Sequence, residues 1–142
     1  MAFEDLYREV ILRHFKKPQN FGPVSDEEAT VEDENPTCGD HFRLRVELQG
    51  DRISSIRFDG RGCAISTSSC SMMTERVLGK TPSEARAMIS EFLGMVQGTC
   101  DPSDESLGDL AVLRSVRDFP VRVKCAGLCW QALSKALDKL SA

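Results

Sequence analysis

The sequence predicts an α+β domain, a small three-stranded antiparallel sheet packed with about five helices. Three observations carry this. Phe42, Leu44, Val46 and Leu48 alternate with charged residues, the period of a half-buried strand. Gly50-Asp51 is a two-residue hairpin signal between that run and a return over Ile53 to Phe58. Apolar stripes at helical spacing lie on both sides of the sheet segment, over residues 3–14 and 125–140.

Taken in order, Phe3, Leu6, Tyr7, Val10, Ile11 and His14 mark an amphipathic helix over residues 3–16, ended by Pro18. His14 on its apolar stripe reads as a satisfied structural histidine. Residues 29–34 make a short strand. The step from Ile53 to Ile56 breaks the period of two, so the third strand either carries a bulge or starts after Ser54. Gly60-Arg61-Gly62-Cys63 then opens a helix whose inner stripe is Ser66, Cys70, Met73 and Val77. Thr81-Pro82-Ser83-Glu84 has the form of a capping box with proline at the first helical position, and starts a helix running to about Val96. An acidic loop over residues 98–106 precedes a short helix, 107–116, which Pro120 punctuates. The last helix carries Cys125, Leu128, Cys129, Ala132, Leu133, Ala136, Leu137 and Leu140 on one face, with Trp130 off that stripe.

At 142 residues the chain is expected to form one domain, 1–142, with a core that needs no staples. A formal charge of −4 argues against nucleic acid as the partner, since phosphate binding needs a basic surface. No apolar run approaches the ~20 residues of a membrane helix. The start, MAFEDLYREV, lacks a hydrophobic signal core. The expected location is cytoplasmic, where thiols stay reduced, and six cysteines there point to metal or chemistry rather than to disulfides.

These cysteines sort into two groups. Cys70 and Cys129 belong to apolar helical stripes, where cysteine behaves as a small hydrophobe. Cys100 stands beside Asp101-Pro102 in the acidic loop and reads as a free surface thiol. Cys38, Cys63 and Cys125 are placed in a turn or near helix starts, where unpaired amides and the dipole favour the thiolate. With Asp40 they make a set of three sulfurs and one oxygen, which suits tetrahedral Zn²⁺. Spacing alone leaves a shared site and separate thiols both open, because no CxxC pair is present.

Three motifs resolve this by resemblance. ENPTCGD at 34–40, GRGCAIS at 60–66 with SMMTE at 71–75, and RVKCAGLCW at 122–130 stand in the order found in SufU-type proteins, relatives of the IscU and NifU iron–sulfur scaffolds. The likeness runs from the first helix to the last. It implies a SufE/NifU-like fold with a metal site at one exposed end. It further implies Zn²⁺ held by Cys38, Asp40, Cys63 and Cys125, with Cys38 as the nucleophile. The implied partner is a pyridoxal-phosphate cysteine desulfurase of the SufS type, whose persulfide sulfur Cys38 accepts and passes toward a downstream iron–sulfur scaffold complex.

IscU-type scaffolds resemble the chain too, and the alternative is a scaffold that assembles an iron–sulfur cluster on the same residues. Those scaffolds have histidine immediately before the third cysteine. This sequence has Lys124 there, which is protonated at neutral pH and does not ligate in that form. The segment between Met73 and Cys125 is also longer, as in SufU-type proteins. Both departures favour sulfur transfer. Arg122 and Lys124 are candidates for holding the partner or stabilising thiolate charge, against an ordinary solvated helix start.

Overall fold

The computed structural model describes residues 3–141, with the side chains of residues 3–6 and 104 left aside, so the stripe positions Phe3 and Leu6 lie outside the described side chains. The sheet has the order β1-β2-β3 and is antiparallel throughout, with β1 at Val31–Asn35, β2 at Asp40–Gln49 and β3 at Arg52–Arg61. Asn35 pairs with Asp40 across the first turn, and Gln49 with Arg52 across Gly50-Asp51. On β2 the alternation buries Asp40, Phe42, Leu44 and Val46 together, while Arg43, Arg45 and Glu47 face the other side. Asp40 thus occupies a core-facing position of the strand.

The broken period of β3 is a bulge. Glu47 pairs with Ser55 and Leu48 with Ile53, so Ser54 is the extra residue, and Ile53 and Ile56 are both buried.

Helix α1 (Phe3–Lys16) buries Val10, Ile11 and His14. Helix α2 (Ala64–Val77) is covered on nearly every side, because α1, α5, β3 and the segment after α4 all pack on it. Its buried hydroxyls are satisfied locally or by neighbours: Ser68 donates to Ala64 O at 2.6 Å and Ser69 to Ala126 O at 2.7 Å. Helix α3 (Pro82–Gln97) has the expected capping box, with Thr81 Oγ1 accepting from Glu84 N and the Glu84 carboxylate accepting from Thr81 N.

Two elements differ from expectation. The helix expected at 107–116 is a single α turn, α4 (Asp104–Leu107), followed by a 3₁₀ segment at Gly108–Asp118. The reason is a period of three: Leu107, Leu110, Leu113 and Val116 are all buried, and three residues per turn place them on one line. The last helix, α5 (Pro120–Leu140), begins well before Cys125, with Pro120 in its first turn rather than ending the element before it. Among the described residues no helix is long and apolar enough to cross a membrane.

Candidate metal centre

The turn between β1 and β2, the start of α2 and the second turn of α5 meet at one end of the sheet. In the turn, Cys38 N donates to Asn35 O at 3.2 Å and Gly39 has φ +72°, a left-handed conformation that glycine adopts without a Cβ penalty. This geometry returns the chain into β2 with Asp40 pointing inward. The Asp40 carboxylate is 1% exposed. Its Oδ1 accepts from Cys63 N at 2.9 Å and from Ser66 Oγ at 3.1 Å. Its Oδ2 is buried without a hydrogen-bond partner among the described residues.

Cys125 on α5 is buried, and its Sγ lies 3.1 Å from Cys38 Sγ, the half-buried rim of the group. Asn35 Nδ2 points at Cys125 Sγ from 3.9 Å. Donor atoms of Cys38, Asp40 and Cys125 all fall within 4.8 Å of one another. Burial, then the Cys38 and Asp40 side chains, then the charge of Cys63 push the Cys125 thiol far above its ordinary range. That reverses the expectation of a thiol lowered by a helix start: Cys125 is one turn inside its helix and packed against a carboxylate. Two sulfurs, a carboxylate oxygen with no hydrogen-bond partner among the described residues and a buried thiol that keeps its proton against Cys38 make a donor set that a thiophilic divalent cation would relieve, so the residues fit the zinc that the resemblance implies.

Cys63 is the N-cap of α2, and its Sγ accepts from Ser66 N at 3.4 Å. It therefore sits against Asp40 through its backbone, while its sulfur stays outside the 4.8 Å group. Three of the four expected ligands are gathered, and the fourth is adjacent.

A model of the NifU-like N terminal domain matches residues 6–139. The chain belongs to this family. Among its relatives is the zinc-dependent sulfurtransferase SufU of Bacillus subtilis, 43% identical over 136 residues, or 96% of this chain and 92% of that protein. The iron–sulfur cluster assembly scaffold protein IscU of Streptococcus pyogenes is 44% identical over 134 residues, 94% of this chain and 84% of that one. A solved structure, described as a candidate SUF-system scaffold (FiSufU) from Fervidobacterium islandicum AW-1, superposes with a TM-score of 0.82 at 33% identity. It covers 96% of this chain and 99% of that one. The α+β fold is the one expected.

The remaining singled-out residues of this NifU-like chain lie as follows. Cys70 and Cys129 are buried in the core, and burial raises the Cys70 thiol. Cys100 is exposed. Neither histidine reaches the centre: His14 Nδ1 is 2.7 Å from Ser71 Oγ, and His41 Nε2 is 2.9 Å from Glu32. Lys124 is exposed near Asn35 and Thr37, and the Arg122 guanidinium lies 5.1 Å from the centre of the Phe119 ring. Trp130 is fully buried, stacked on Phe92 at 4.5 Å, with Nε1 donating to Ser69 Oγ at 3.0 Å. It is a core residue with no free face for a partner. Sequence reasoning missed Asn35 and Ser66. Both lie in the quoted motifs, but nothing in their spacing shows that one faces Cys125 and the other Asp40.

Proposed function

We propose that this protein, acting as one domain over residues 1–142 in the cytoplasm, is a zinc-dependent sulfur-transfer protein. It takes persulfide sulfur from a pyridoxal-phosphate cysteine desulfurase of the SufS type and hands it toward the complex that builds iron–sulfur clusters. The observation that carries this reading is the pairing of a buried carboxylate oxygen that has no hydrogen-bond partner among the described residues with a rim thiol, Cys38, on a glycine-containing turn. Cys38, Asp40, Cys63 and Cys125 would hold the zinc. Bound there, it would keep the thiols deprotonated and mask them until a partner docks.

The sulfur step needs only Cys38. Its thiolate attacks the outer sulfur of the donor's persulfide, the S–S bond of the donor breaks, and the donor cysteine leaves as thiolate. The sulfane sulfur then stands on Cys38 as a new persulfide, with no net oxidant consumed. Of the Cys38, Asp40 and Cys125 group, Cys38 alone is not buried, so it alone can meet a donor without unfolding the site. Arg122 and Lys124 are both exposed, Lys124 close to Thr37 of the Cys38 turn, and supply positive charge for the partner or for the leaving thiolate.

The scaffold reading draws on the likeness to the streptococcal IscU. Against it stands a site with thiols and a carboxylate but no histidine. The test is to mix the protein with a desulfurase and cysteine and locate added sulfur by peptide mass. Added mass is expected on Cys38 of the parent and nowhere in Cys38→Ser. Added mass on Cys63 or Cys125 with Cys38 unmodified would move the acceptor. A brown protein formed from iron and sulfide, without sulfur acceptance, would establish the scaffold reading instead.

A further inference from the structure

The two oxygens of Asp40 have unequal surroundings: Oδ1 accepts from the Cys63 N–H and from the Ser66 hydroxyl, while Oδ2 has no hydrogen-bond partner among the described residues. We propose that Ser66 is a positioning residue for the metal centre: it commits Asp40 Oδ1 to the protein and so leaves Oδ2 as the single oxygen donor. The inference rests on the metal-site part of the reading above, and not on sulfur transfer.

Ser66 is fully buried in the first turn of α2. Its Oγ stands 3.1 Å from Asp40 Oδ1 and 3.1 Å from Cys63 O. One hydroxyl proton serves one acceptor at a time, and the charged carboxylate is the stronger acceptor. Together with the Cys63 N–H it gives Oδ1 two donors. Two bonds to the same oxygen fix both the rotation of the carboxylate and its distance from α2. The same residue also orients a second ligand, since Ser66 N donates to Cys63 Sγ at 3.4 Å. Ser66 therefore touches two members of the proposed ligand set and no reacting atom.

Gly62 makes the arrangement possible. A Cβ there would lie 2.3 Å from Ser66 Oγ, 2.8 Å from Phe42 Cζ and 2.9 Å from Asp40 Oδ1. All three are below normal contact, so any side chain at 62 would separate the hydroxyl from the carboxylate. Freed from Oδ1, the carboxylate can turn, and either bind through both oxygens or withdraw. Both outcomes degrade a site built for one oxygen and three sulfurs.

The experiment measures Zn²⁺ affinity by competition with a chromophoric chelator and records the visible spectrum of Co²⁺-substituted protein. Ser66→Ala is expected to lose about 10–100-fold in Zn²⁺ affinity, the usual effect of removing an outer-shell partner, and to shift the cobalt bands. Ser66→Thr, which keeps the hydroxyl, should stay near the parent in both. In an Asp40→Asn background Ser66→Ala should add little, because its effect runs through the carboxylate. Gly62→Ala reaches the same contact from the opposite side and should reproduce the loss, so the test survives if Ser66→Ala fails to fold. Parent affinity and parent cobalt spectrum in Ser66→Ala or Gly62→Ala would overturn the proposal, as would an undiminished loss in the Asp40→Asn background. Sulfur acceptance failing while these metal readouts hold would remove only the transfer reading.

Discussion

Replacing Asp40 by asparagine separates the metal role of this carboxylate from its structural one. The amide oxygen can take over the two bonds that Oδ1 accepts from Cys63 N and Ser66 Oγ. The amide nitrogen then occupies the place of Oδ2, which has no hydrogen bond to lose among the described residues. Metal-free Asp40→Asn should therefore be at least as stable as the metal-free parent, since a buried charge with donors on only one of its oxygens has been removed and those two bonds are kept. Zinc binding should suffer, because an amide nitrogen does not replace a carboxylate donor. For a loss of about 100-fold in affinity, ligand linkage removes about 2.7 kcal/mol of zinc-dependent stabilisation at fixed excess zinc. At about 2–4 °C per kcal/mol for a chain near this size, the zinc-induced rise in melting temperature should shrink by about 5–11 °C. The assay is calorimetric melting of parent and variant, each with a chelator and with excess zinc. A variant that keeps the full zinc-induced rise would show that Asp40 is no ligand. One that melts far below the metal-free parent would show that the carboxylate is structural.

Burial lowers the pKa of His14, with Glu75 partly opposing, so the native state binds this proton less readily than the unfolded chain. Its contribution is complete above the unfolded value of 6.5 and is lost as pH falls below it. Urea unfolding should thus show the parent losing more stability than His14→Gln between about pH 7.5 and about pH 5.5, and parallel losses would contradict this. Trp130→Ala should cost about 3–5 kcal/mol in the same assay, the usual loss for a fully buried aromatic, whereas a partner-docking tryptophan would leave stability unchanged. Cys70→Ser should cost about 1–3 kcal/mol by burying an unpaired hydroxyl, and the folded fraction should still take sulfur on Cys38. Loss of acceptance in folded Cys70→Ser would tie that thiol to the chemistry.

The sequence by itself determined those features that depend on neighbours along the chain. The alternation of Phe42 to Leu48, the broken period between Ile53 and Ile56, the capping box at Thr81 and Glu84, and the core character of Cys70 and Cys129 are all local patterns; the structure carries each of them and decides the broken period as a bulge rather than a later strand start. Periodicity identifies a face only when an element has one buried face. Helix α2 is buried on nearly every side and α5 packs on α2, α3, β1 and the 3₁₀ segment, so no stripe could report the burial of Trp130 or of the α2 serines. Cys38 and Cys125 stand 87 positions apart, and only the docking of α5 against the β1–β2 turn brings their sulfurs to 3.1 Å. The inward aspect of Asp40 follows from its register on β2, but its lone unpaired oxygen follows from where the first turn of α2 lands. Residue types announced a set of candidate ligands. Packing selected which atoms meet, because contacts at long sequence separation are specified by how faces fit and not by any local period.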